Sequence, residues 1–180
     1  MKTLTLAFLC AVCALTVSAQ PSNFEEIRKE VRAMKPRYFT AEYDKFKEIT
    51  ELTGSVPSTI SRCLISRSVT GDLSYGLYVW RSGNGQWTSA REAIFLTDGE
   101  RLKLKGGSRY HNNISTKIVL GRLSDRGTET LYFEITLEEW KQIFSAQKVE
   151  FQIGSTEHKF ETRYGKGCLA LADFAARLKD

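Results

Sequence analysis

The sequence is poor in the residues that most often carry chemistry. It has two histidines in 180 residues, His111 and His158, and no G-x-S-x-G motif, so a triad of the hydrolase type lacks its usual frame. Prolines number three, and no low-complexity tract or internal repeat is present. A Pro-rich linker, a disordered chain and a solenoid are therefore set aside. The one long apolar run spans Leu4 to Val17, 14 residues, short of the ~20 a membrane helix needs.

That run has a different reading. Met1-Lys2-Thr3 supplies a positive start, Leu4–Val17 an apolar middle, and Val17 and Ala19 the small residues before a cut. This is the pattern of a secretory leader, 1–19, with the mature chain starting at Gln20. Lipidation at Cys10 or Cys13 is disfavoured, because Leu9 and Val12 precede them where a small residue is wanted. The expected localisation is secreted or periplasmic. With the leader gone, Cys63 and Cys168 remain, and an even cysteine count in an exported chain points to a disulfide between them.

The formal net charge is +5, unevenly spread. Residues 55–128 carry eleven Lys/Arg against five Asp/Glu, a net of +6, and residues 129–180 carry seven against nine, a net of −2. An excess of this size serves solubility as readily as an anionic partner.

The patterning predicts an α+β fold, mainly antiparallel sheet, with N-terminal helices, one inserted helix and a C-terminal helix. Ser22-x-x-Glu25 reads as a capping box opening a helix with Phe24, Ile27, Val31 and Met34 on one face. A second helix is expected over about Thr40–Leu52, with Tyr43, Phe46 and Ile49 inward and Gly54 as its stop. Residues 20–54 thus form a helical N-terminal segment, and 55–180 a β-rich domain. Strands are expected at Arg62–Val69, Tyr75–Arg81, Thr116–Leu123, Thr130–Ile135, Lys148–Ile153 and His158–Thr162. Asp98-Gly99 marks a two-residue hairpin turn that pairs Phe95 with Leu102 and Ala93 with Leu104 on an apolar face. Thr136-x-x-Glu139 is a second capping box, opening a helix with Leu137, Trp140, Ile143 and Phe144 inward. A last helix runs from about Cys168 to Lys179.

Several constellations invite function. Gly165-Lys166-Gly167-Cys168-Leu169-Ala170 fits G-x-G-x-x-A, but nothing after it reads as the second strand of a dinucleotide fold, so it is a lead into a helix. Cys63, His111, His158 and Cys168 are too scattered for a zinc site, and no metal or cofactor is expected. His111, in the polar run Tyr110–Asn113, is the best-placed histidine to face a ligand. Arg101, Lys103 and Lys105 alternate along one strand and share a face. Arg109 follows a Gly106-Gly107 pair able to fold it alongside. That stripe suits an anionic polymer, or serves only as a solvated strand face. Tyr75, Tyr78, Trp80 and Trp87 are the densest aromatics. Exposed rings would stack on sugars or anchor an interface, but the Tyr75–Arg81 strand, apolar on both faces, is read as central and covered on both sides. Asn113-Ile114-Ser115 is a glycosylation sequon.

The aromatic strands ending at Trp87, the Ala93–Leu104 hairpin, the 135–140 capped helix start and Lys148–Gly154 together resemble exported bacterial β-rich domains of unassigned function. The resemblance covers roughly 75–175, implies a periplasmic or secreted setting and transfers no site. The function expected is an exported non-catalytic binding or interaction module, its partner a protein or an anionic polymer. A small secreted hydrolase using His111, or an inhibitor of a foreign enzyme, are the alternatives. Exported material is expected to show an intact mass beginning at Gln20; a lipid-bearing mass from Cys10 or Cys13 would overturn the leader assignment.

Overall fold

The computed structural model describes residues 20–34, 38–55, 60–82, 92–105, 111–119 and 122–179. Residues 1–19, where a leader is expected, 83–91 with Trp87, and 106–110 with Arg109 lie outside the described residues. The first helix, α1, is Phe24–Ala33, and ten strands follow with two further helices. Strands β1 (Phe39–Asp44), β2 (Ile49–Ser55), β3 (Ile60–Arg67) and β4 (Leu73–Ser82) lead to the hairpin of β5 (Glu92–Thr97) and β6 (Glu100–Lys105). Then come β7 (His111–Val119), β8 (Arg122–Ile135), α2 (Leu137–Ser145), β9 (Val149–Ile153), β10 (Thr156–Phe160) and α3 (Gly165–Ala176). They form an antiparallel six-stranded sheet, β1-β2-β3-β4-β8-β7, and an antiparallel four-stranded sheet, β10-β9-β5-β6.

The fold is α+β, and the Asp98-Gly99 hairpin has the expected register, Phe95 against Leu102 and Ala93 against Leu104. Both turn residues take positive φ, 51° and 93°, as a primed turn requires. The turn is also tied down. The Asp98 carboxylate accepts from the backbone N–H groups of Gln147 (3.1 Å) and Lys148 (2.8 Å), and the Asp98 N–H donates to the Lys148 carbonyl at 2.9 Å. The second capping box is formed in full: Glu139 N–H donates to Thr136 Oγ1 at 3.1 Å and Thr136 N–H to Glu139 Oε2 at 2.7 Å.

Four expectations are corrected. The first is the helix over Thr40–Leu52, which is a β1–β2 hairpin. Its residues alternate along β1, where Phe39 and Ala41 are buried between exposed neighbours, and Thr50 and Leu52 of β2 are buried on the same side. The apparent helical spacing of Tyr43, Phe46 and Ile49 straddles a turn. There the Asp44 carboxylate accepts from the N–H groups of Phe46 and Lys47, which hold it below the usual carboxylate range. Phe46 is 88% exposed. β2 pairs β3 directly, and α1, β1 and β2 all contribute residues to the one core.

The second is the capping box at Ser22. The N-cap is Asn23, and its side chain makes no cap bond. It reaches the other end of the chain instead: Nδ2 donates to the Arg177 carbonyl (2.7 Å) and Oδ1 accepts from Lys179 N–H (2.9 Å). Ser22 N–H adds a bond to the Lys179 carbonyl at 2.9 Å, and Glu30 grips Arg177 with both oxygens, at 2.6 and 2.9 Å. That contact lowers the Glu30 pKa and raises that of Arg177.

The third is the strand at Thr116–Leu123, which is the end of β7 and the start of β8. The fourth is β4. It is central in its sheet, but only one face is core: Tyr75, Leu77 and Val79 are buried while Trp80 on the other face is 38% exposed.

One continuous core joins both sheets and all three helices. Phe95 stacks on Phe151 at 5.0 Å inside the small sheet, and Trp140 meets Tyr75 (5.6 Å) and Phe144 (4.7 Å). Helix α3 lies on β2 and β3, closely enough that a Cβ on Gly167 would enter the ring of Phe39. Phe95→Ala is expected to cost about 3–5 kcal/mol in urea unfolding. Gly167→Ala, which in an open helix would gain up to about 1 kcal/mol, is expected here to lose stability. A gain would mean the ring has room to move aside.

Candidate functional site

The side of the small sheet that faces away from the core carries the basic stripe. Strand alternation sends Ala93, Phe95, Phe151 and Leu104 inward, all buried, and Ile94, Leu96, Arg101, Lys103 and Lys105 outward. Pairing across the four strands aligns two outward rows. One is Glu157, Gln152, Ile94, Lys103; the other is Lys159, Glu150, Leu96, Arg101. All of these except Lys103 line a shallow concavity of about 760 Å³, together with Phe151 and His158. Leu96, 40% exposed, and Ile94 form its apolar midline.

The structure brings Arg101, Lys103 and Lys105 together as the strand period requires, and all three are exposed. It also adds acids that the chain order separates from them. Lys103 Nζ stands 2.8 Å from Glu92, and Glu150, held by Lys148 at 3.3 Å, shares the face with Glu157. The surface is therefore of mixed sign, basic along β6, with Glu150 and Glu157 set beside Lys148 and Lys159 toward β9 and β10. A continuous cationic track of the kind that binds polyanions by counterion release is not what this face presents. Glu150, Gln152, Glu157 and Lys159 escaped the sequence reading because pairing of β9 with β5 is a contact between segments some fifty residues apart.

Of the remaining candidates, His158 lines the same concavity. Arg109 lies outside the described residues. His111 opens β7, opposite Thr130, and so sits on a strand rather than in the expected loop. Asn113 of the sequon is in the same strand. His158 lies beside Phe151, ring centroids 5.1 Å apart. Among the described residues no three of His, Cys, Asp and Glu are grouped to hold a metal. Tyr78 and Tyr132 meet at 4.9 Å on the outer face of the large sheet, where the Tyr132 ring lies over Gly76.

The glycines of Gly165–Ala170 serve packing. Gly165 is buried against the backbone of Phe144, and half-buried Gly167 lies against the Phe39 ring, so the start of α3 is closed by protein on that side. Beside them Cys63 of β3 and Cys168 of α3 are both fully buried, with Sγ atoms 2.7 Å apart. The structure holds two free thiols in contact where a disulfide was expected. Burial, then the contacts with Cys63, push the Cys168 thiol well above its ordinary range. Trp140 Nε1–H donates to the Cys168 carbonyl at 3.1 Å, fixing the turn that carries the thiol. No family model, curated protein or solved structure is similar to this chain.

Alkylation needs the thiolate and access to it. In the reduced, folded protein both cysteines are expected to react with iodoacetamide at neutral pH at least about tenfold more slowly than in urea. Equal rates by mass spectrometry would show that the pair is open to solvent.

Proposed function

We propose that this chain is an exported, non-catalytic binding module whose contact surface is the outer face of the four-stranded sheet. The observation that carries this reading is the concavity bounded by Arg101, Glu150, Gln152 and Lys159 around the apolar midline of Ile94 and Leu96. A few charged and amide groups convergent on an exposed apolar strip are what orient a ligand. The volume falls within the roughly 300–1,000 Å³ typical of ligand sites.

Export rests on the leader pattern at 1–19 and on the resemblance to exported bacterial β-rich domains. No helix among the described residues is long and apolar enough to cross a membrane. In an oxidising compartment the Cys63–Cys168 pair closes. The two thiols give up two protons and two electrons to an external disulfide, such as that of an oxidoreductase, and a sulfur–sulfur bond forms between β3 and α3. Such a bond closes a loop of about 105 residues, worth roughly 4–5 kcal/mol in the chain-entropy treatment.

The test is an amide-resolved NMR titration of residues 20–180 against heparin, duplex DNA, lipopolysaccharide and a mixed pentapeptide library. Perturbations are expected to cluster on Ile94, Leu96, Arg101, Glu150 and Gln152. Perturbations clustered elsewhere, or none with any member of the panel, overturn the assignment.

A further inference from the structure

The order of charges across the small sheet is specific enough to name a ligand class. Building on the binding reading above, we propose that this face takes a short extended peptide crossing the strands, with an acidic side chain, an apolar one and a basic one at alternate positions. Three observations converge on it: the order of charges, the spacing of the strands and the size of the face.

Charge order comes first. Going from β6 inward, the outward residues are Arg101 and Lys103, then Leu96 and Ile94 on β5, then Glu150 and Gln152 on β9, then Lys159 and Glu157 on β10. The sequence across the face is basic, apolar, acidic and mixed. A ligand with a carboxylate at one end and a cation at the other matches it, and a polyanion meets Glu150 and Glu157.

Spacing comes next. Neighbouring strands lie about 4.8 Å apart, so β6 to β9 is about 10 Å and β6 to β10 about 14 Å. In an extended peptide, side chains at i, i+2 and i+4 point the same way and spread over about 13 Å. An acid at i then sits between Arg101 and Lys103, an apolar side chain at i+2 over Ile94, and a base at i+4 by Glu157, away from Lys159 at the end of the Arg101 row. An α-amino acid, whose two charges are on neighbouring atoms, is too short to reach both flanks.

Size separates a peptide from a folded partner. Four strands of about six residues give a face of roughly 20 by 20 Å, about 400 Å². A stable protein–protein contact buries about 800 Å² on each side. A second copy or a globular partner seated only here lacks the area, whereas an extended pentapeptide, about 17 Å long, fits within the face. Affinity is accordingly modest, with Kd expected between about 10 µM and 1 mM.

The experiment measures fluorescence anisotropy at low salt with four labelled, end-capped pentapeptides: Glu-Ser-Leu-Ser-Lys, Glu-Ser-Leu-Ser-Glu, Lys-Ser-Leu-Ser-Lys and Glu-Ser-Ser-Ser-Lys. The first is expected to bind at least about fivefold more tightly than any other. Arg101→Glu is expected to weaken the first at least about tenfold and to strengthen the Lys–Lys peptide. A gain of that kind cannot arise from a variant that has merely lost its fold. Equal binding of all four peptides, preference for the Glu–Glu peptide, or an unchanged preference in Arg101→Glu overturns the proposal. If heparin perturbs this face in the NMR titration and the Glu–Lys peptide does not, the peptide inference fails while the binding reading stands. Silence from every probe removes both.

Discussion

The structure turns on the seat of one ring. Phe39 lies at the start of β1, and its ring occupies the space where Gly54 of β2 and Gly167 of α3 have no side chain. Close packing of this kind cannot be relaxed by a small shift, because both neighbours are backbone. It brings α3 down onto β2 and β3, and that approach is what sets Cys168 against Cys63. The Trp140 indole then bonds the Cys168 carbonyl, so α2 is referenced to the same point. With α1 fastened to the end of α3 through Asn23 and Glu30, the three helices are fixed relative to the large sheet by contacts that meet around one buried joint.

The small sheet is held to this frame from its inner side and at one turn. Phe95 and Phe151 stack beneath it, Phe160 meets Phe144 of α2, and Gln142 of α2 donates to Thr97 Oγ1 at 3.0 Å. The Asp98 carboxylate completes the attachment by capping the two N–H groups that lead into β9. On the outer face Leu96, Arg101 and Lys159 are exposed. Rigid strands beneath such side chains reduce the ordering cost of binding.

What was legible in the sequence was local. The Asp98-Gly99 turn, the Thr136–Glu139 box and the apolar period of α1 each depend on residues within a few positions of one another, and each is found where the pattern placed it. The errors are of two physical kinds. Thr40–Leu52 offers apolar residues at both the two-residue and the helical spacing, and pairing with β3 decides between them, which no local count contains. The Ser22 side chain matches a cap, but Asn23 occupies the cap position and is drawn to the chain's other end across more than 150 residues. The candidate surface divides the same way. Its cations lie on one strand and could be read; its acids arrive through the β9–β5 and β9–β10 pairings and could not.

Those acids change what the stripe means. An exposed pair such as Lys103–Glu92 is worth about 0–1 kcal/mol, because water screens both ions and the long side chains lose freedom in meeting. Such a pair adds little to folding, and for the same reason it costs little to exchange. A ligand carboxylate can displace Glu92 from Lys103 for almost nothing, and a ligand cation can displace Lys148 from Glu150 on the same terms. Discrimination then comes from mismatch. A ligand of a single sign gains at one flank and is repelled at the other, while a ligand of both signs in the right order gains at each. Leu96, 40% exposed, and half-buried Ile94 form the apolar midline between basic β6 and the mixed charges of β9 and β10, and a ligand that covered them would gain apolar burial as well as charge pairing.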